Sequence, residues 1–151
     1  MRKFLVVLDD SNECLNAVRY AAMRAASTGG AVQALGVIPA DDIQHGFSVA
    51  EVMRTEARER IEAQFEVYAK WMRDRPRIEP ELVVREGDPA TELLAQIGAD
   101  ADIGVLVLAA ATGSGGPGPL ITRMMREISA LPCPLTIVPG SISRERLEQI
   151  T

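Results

Sequence analysis

Apolar residues arrive along this chain in five short runs, at 4–8, 32–38, 82–84, 103–110 and 135–138, each rich in Val, Leu or Ile and continuous rather than alternating. Continuous runs of this kind mark strands covered on both faces, as in a parallel sheet, whereas a half-exposed strand would alternate. Between the runs the stride of apolar positions lengthens to three or four residues. Leu15, Val18, Ala22 and Ala25 share one helical face, and Val49, Val52, Met53, Ala57, Ile61, Phe65, Tyr68 and Met72 share another, with Glu and Arg opposite until Pro76 stops the pattern. The second stripe reads as core packing. The resulting order, βαβαβαβαβ, implies an open parallel sheet with right-handed crossovers and helices on both sides.

Local signals place the helix ends. Ser11 or Asn12 can cap the first helix, which stops at Gly29-Gly30; Asp88-Pro89 supplies a cap followed by proline at the first helical position, leading into Leu93, Leu94 and Ile97. A fourth helix should begin at Pro119 or Leu120 and end before Pro132. No repeat or linker divides the chain, so residues 1–140 are expected to form one domain, with 141–151 a short amphipathic tail whose Ile142, Leu147 and Ile150 can pack.

Composition narrows the function. With 151 residues, a net charge of -5 and a pI near 4.9, the chain is a poor partner for nucleic-acid backbones or anionic membrane, both of which demand clustered positive charge. The run at 4–8 is too short for a signal segment, and no stretch approaches the roughly 20 apolar residues that span a bilayer. Cys14 and Cys133 are far apart and lack metal-site spacing, which fits a reducing cytoplasm.

The candidate chemistry concentrates after the fourth run, where Gly113, Gly115, Gly116 and Gly118 crowd with Pro117 and Pro119 ahead of Thr122. Glycine at a strand-to-helix junction lets main-chain amides face a phosphate; the same residues also build tight surface turns. Gly113-Ser114-Gly115-Gly116-Pro117-Gly118 matches GxGxxG literally, but it does not follow the first strand of its unit, and no ribose-binding acid follows the next. No Gly-Lys-Ser/Thr follows either, which excludes a Walker A loop. Asp9 and Asp10 end the first strand, where open α/β sheets bind ligands, and one of them either contacts a ligand or helps cap the first helix. Their side chains should point to opposite faces, which argues against an acid/base pair. His45, in a polar stretch, reads as a solvated loop residue more than a catalytic base, and Cys14 as a small buried apolar residue. The sequence offers no positioned catalytic set.

Several segments in order carry a resemblance: Leu5 to Ser11, Ala25 to Gly30, Val84 to Pro89, Ala101 to Ile103 and Pro132 to Val138. Together they resemble the universal stress protein (UspA-like) family, collinearly over nearly the whole chain. The resemblance implies a five-stranded parallel sheet of order 3-2-1-4-5 of the adenine-nucleotide alpha-hydrolase-like type. It also implies a cytoplasmic homodimer pairing through residues 134–138, and binding of ATP with Mg²⁺ or another adenine nucleotide as a regulatory state. A family member that binds no nucleotide and acts as a dimeric interaction module is the alternative. An enzyme, at most one of slow ATP hydrolysis, is the third reading. It would need a glycine-rich phosphate loop after strand one, and Leu8 to Glu13 contains no glycine.

By that resemblance Asp9 matches the acid on the ribose and Val37 the main-chain position that reads adenine. The loop departs from the family pattern of Gly, two residues, Gly, nine residues, Gly and Ser or Thr. A gap-free count puts Leu108, Ala111 and Ile121 on the glycine positions and Thr122 on the hydroxyl. With a shortened loop, Thr112, Gly113, Ser114, Gly115 and Gly116 would take over the phosphate-facing role, Thr122 keeping its hydroxyl there.

Overall fold

Alternating side chains on each apolar strand serve two cores, one on either side of the sheet. The computed structural model describes residues 1–40 and 47–151; His45 and the polar stretch around it lie outside them. Strands β1 (Lys3–Leu8), β2 (Ala31–Ile38), β3 (Glu81–Glu86), β4 (Ile103–Ala110) and β5 (Leu135–Pro139) pair in the order β3-β2-β1-β4-β5, all parallel. Among the described residues the helices α1 (Cys14–Thr28), α2 (Phe47–Asp74), α3 (Pro89–Ala99), α4 (Pro119–Arg126) and α5 (Arg144–Ile150) intervene or follow. Val6, Leu8, Val107 and Val138 meet α1, α2 and α5 on one face, while Leu5, Leu35, Leu106 and Leu108 meet α3 and α4 on the other. Strands that are apolar on both faces, rather than on alternate positions, are therefore what this architecture demands.

The helix ends follow local chemistry with one exception. Asp88 Oδ2 accepts from the Thr91 amide at 3.0 Å and its hydroxyl at 2.9 Å, with Pro89 behind it. Gly29 closes α1 in the left-handed region at φ 71°. Helix α1 starts later than Ser11 or Asn12 predicted: Glu13 is its cap residue and makes no side-chain cap bond. The Ser11 amide and hydroxyl are instead turned back onto the Asp9 carboxylate, the amide at 2.8 Å, so this serine serves the turn before the helix. The fourth helix is also shorter than predicted; it ends at Arg126 and a 3-10 turn (Ile128–Ala130) completes the crossing to β5.

Two glycines hold elements close. A Cβ on Gly36 in β2 would run into the Ile61 side chain, which sets α2 directly on the strand. Gly140, just past β5, lies against the Ala110 carbonyl and donates no side chain to a crowded junction. Its own carbonyl accepts from Asn16 Nδ2 of α1 at 2.9 Å.

At the amino edge a polar chain runs beneath α3. Lys3 Nζ lies 2.7 Å from both Asp100 and Glu81, and buried Gln33 donates to both carboxylates at 3.1 and 2.8 Å. Gln96 Nε2 in turn donates to Gln33 Oε1 at 3.0 Å. Lys3 holds both carboxyls below their ordinary range, and they raise the lysine. A depressed carboxylate stabilises the fold above its unfolded value and loses that contribution as pH falls; a raised lysine loses its contribution only as pH climbs past 10.5. The network is therefore constant near neutrality and weakens in acid. Lys3→Met is expected to cost up to about 1 kcal/mol at pH 7 and to flatten the fall in urea midpoint between about pH 5 and pH 3.

Candidate functional site

Sheet order reverses at β1, because the chain leaves it toward β2 on one side and returns to β4 on the other. Such a switch opens a crevice at the carboxyl ends of the strands. Here the crevice has two lobes, of ≈ 680 and ≈ 200 Å³. Val7, Asp9, Ser11 and Leu120 line both. The larger is walled by Val37 and Pro39 after β2, by α2, and by Pro89 at the start of α3; the smaller lies between β4, the start of α1 and the 117–121 segment.

Asp9 is fixed from two sides. Its Oδ1 accepts from Ser11, and its main-chain carbonyl accepts from Gln64 Nε2 of α2 at 2.7 Å. Among the described residues Oδ2 is engaged by no protein donor, so the carboxylate keeps an acceptor for a ligand hydroxyl. Asp10 lines the larger lobe alone, as expected if adjacent extended residues diverge. Below Asp9, burial pushes the Cys14 thiol up, and its Sγ donates to Val7 O at 3.5 Å, which makes it a wall and not a nucleophile. Burial likewise pushes the Tyr68 hydroxyl up, so it stays protonated beside Gln64.

Val37 sits where a ladder ends. Ile38 O accepts from Gly87 N–H at 2.9 Å on the β3 side, so alternation turns the main-chain groups of Val37 toward β1, whose pairing stops at Leu8↔Gly36. Asp9 and Val37 are thus brought to one cleft.

The glycine loop is placed differently. Ala111 N–H donates to Pro117 O at 2.9 Å, which closes the segment between them into an exposed turn. Gly113, Gly116 and Gly118 have φ of 102°, 86° and 112°, and a Cβ on any of them would meet nothing within 4 Å. These glycines serve backbone conformation, with no crowding to relieve. Thr112, Gly113, Ser114, Gly115 and Gly116 line neither lobe, whereas Ala111, Pro117 and Gly118 line the smaller. Thr122 lines neither; its hydroxyl donates to Gly118 O at 2.9 Å within the first turn of α4. Leu108 and Ile121, on two glycine positions of the family pattern, are buried at 4% and 3% exposure.

Helix α2 contributes Arg60, Gln64 and Tyr68 to the larger lobe; the apolar stride marks Tyr68 as core and passes over Arg60 and Gln64. Arg60 and Gln64 stand four apart, polar, flanking the apolar stripe, and that flank was the available signal. Among the described residues no group of three His, Cys, Asp or Glu could hold a metal, and no helix is long and apolar enough to cross a membrane.

Fold and cleft define a class, the open parallel α/β domains that receive ligands at the strand-order switch. The sequence matches the profile of the Universal stress protein family over residues 1–139. The chain belongs to that family. No curated protein matches the sequence significantly. Among solved structures it is similar to universal stress protein UspA from Lactobacillus plantarum, at 19% identity and TM-score 0.72, with 91% of this chain and 97% of that one covered. A universal stress protein in complex with cAMP gives 18% identity and TM-score 0.61, with 93% and 98% covered. One from Archaeoglobus fulgidus in complex with dAMP gives 15% identity and TM-score 0.59, with 91% and 98% covered.

Proposed function

We propose that the protein is a homodimeric regulatory member of this family that binds an adenine nucleotide at the carboxyl edge of its sheet. The observation that carries the reading is the convergence of Asp9 and Val37 on one ≈ 680 Å³ cleft, large enough for a nucleoside. Asp9 Oδ2 accepts a ribose hydroxyl, the main chain at Val37 meets the adenine edge, and Arg60, the cation of the larger lobe, faces the phosphate end. The cAMP and dAMP complexes of two structural neighbours support an adenine nucleotide as the ligand. A Mg²⁺ ion would arrive with a polyphosphate, since the described residues supply no ready-made cluster.

Calorimetric titration with AMP, and with ATP and Mg²⁺, tests this. Saturable binding with Kd at or below about 1 mM is expected, and Asp9→Ala should weaken it about tenfold or more. No saturable heat at about 10 mM for either nucleotide would overturn the reading.

The dimer would form along β5, a sheet edge, where Ile137 is 40% exposed; Met125 and Ile128, ahead of β5 in the chain, are exposed too. An open apolar edge of this kind needs a partner strand. Ile137→Lys should shift the protein to monomer in sedimentation; an unchanged sedimentation coefficient would count against this edge. Burial of Leu108 and Ile121 and the engaged Thr122 hydroxyl favour a second reading, in which the dimer is an interaction module without a nucleotide.

A further inference from the structure

A second cavity, of ≈ 440 Å³, opens where α1, the end of α2 and α5 meet. It is lined by Arg19 and Met23 of α1, Trp71 of α2, Arg75 and Pro76 of the turn that follows it, and Arg144 and Glu148 of α5. Its charge runs against that of the molecule. Three arginines face one glutamate here, in a chain with 16 basic and 21 acidic residues.

Some arginines elsewhere are tightly paired: Arg73 holds Glu66 and Glu79 at 2.9 and 2.7 Å, and Arg85 holds Glu92 at 2.9 Å. Among the described residues neither Arg19 nor Arg75 has a carboxylate within ion-pair distance, and Arg144 meets Glu148 only loosely, at 3.8 Å with both side chains more than 60% exposed. Uncompensated like charges around a concavity raise the local concentration of anions. Trp71, the single tryptophan of the chain, packs half-buried against the α1 core beside Met23 and gives the cavity an apolar, aromatic wall.

We infer that this cavity is a second ligand site, taking a small organic anion with a flat apolar ring: the ring against Trp71 and Met23, and the phosphate or carboxylate among Arg19, Arg75 and Arg144. Arg guanidinium groups match both head groups in bidentate fashion, and an aromatic wall accepts a ring face. One side of the site is α5, which lies beyond residues 1–139 that match the family. That segment is firmly seated, with Leu147 wholly buried against the α1 side and Thr151 O accepting from Ser27 Oγ at 2.8 Å.

Trp71 makes the test direct, because the single tryptophan of the chain lines this cavity. Titration of the full chain with phenyl phosphate should produce a saturable change in emission below about 10 mM. Benzoate should do the same if the carboxylate source is also accepted, and whichever of the two binds more tightly identifies the head group. Inorganic phosphate and benzyl alcohol, each carrying half of the recognised chemistry, should bind at least about tenfold more weakly. Arg19→Gln combined with Arg144→Gln should lose about tenfold or more in affinity. Glu148→Gln, which removes the loose partner of Arg144 and shifts the charge balance the other way, should tighten binding about twofold. No saturable change with either anion, an equal response to benzyl alcohol, or affinities indifferent to both sets of variants would overturn the site.

Discussion

Gly140→Val will lower the stability of the domain by about 3 kcal/mol, read as a shift in the urea midpoint. A Cβ on Gly140 would fall onto the Ala110 carbonyl oxygen, 3.0 Å from Glu13 Cβ and 3.2 Å from Thr112 Cγ2. The first obstacle is backbone at the end of a central strand, which cannot swing aside as a side chain can. The end of β4, the start of α1 and the exit from β5 all meet at this glycine, and the Asn16 Nδ2 bond to its carbonyl would be displaced with it. Gly115→Ala is the matched control: its φ is not positive, a Cβ there meets nothing within 4 Å, and the change should stay within about 0.5 kcal/mol. Equal costs at the two positions would show that the junction is not packed as described.

Ile121→Ala should cost about 3 kcal/mol, the usual penalty for emptying a buried Ile position. Ile121 is 3% exposed in a cluster with Leu108, Met124 and Leu93, and it forms part of the wall of the smaller lobe. In the family pattern this position belongs to glycine, which lets an amide approach phosphate. In this chain the same position is core. A cost below about 1 kcal/mol in thermal or urea unfolding would mean that the side chain stands free, and that the smaller lobe is wider than its ≈ 200 Å³.

The fold was legible because its main determinants are local and periodic. Each of the five apolar runs lies within an observed strand, and β3 extends from 82–84 to Glu81–Glu86, because its flanking charged residues still pair along β2. Asp88-Pro89 marked a helix start for the reason the structure shows, a carboxylate on an exposed amide. The start of α1 was less legible, since Ser11 can bond forward to a helix or back to Asp9, and composition does not choose between them.

Site residues divide in the same way. Asp9 and Val37 end strands, and strand ends at the switch converge by topology. The direction of the glycine loop could not be read from its glycines, which confer freedom without orientation. The Ala111–Pro117 bond, a main-chain contact that side-chain identity does not encode, sets the outward turn. Arg60, Gln64 and the cleft-facing position of Tyr68 were hidden for another reason: one helical stripe faces core along part of its length and the cleft along the rest. Periodicity identifies the stripe but not where the sheet beneath it ends.

The central claim is that the nucleoside end of an adenine nucleotide is held between Asp9 and Val37. Amide chemical shifts of isotope-labelled protein, followed during titration with AMP, test it most directly. The account predicts saturable shifts at Asp9, Ser11, Val37 and Gln64, and smaller ones at Gly113 to Gly116, which line neither lobe. Shifts confined to the 113–116 turn, or none at all at about 10 mM AMP, would contradict it.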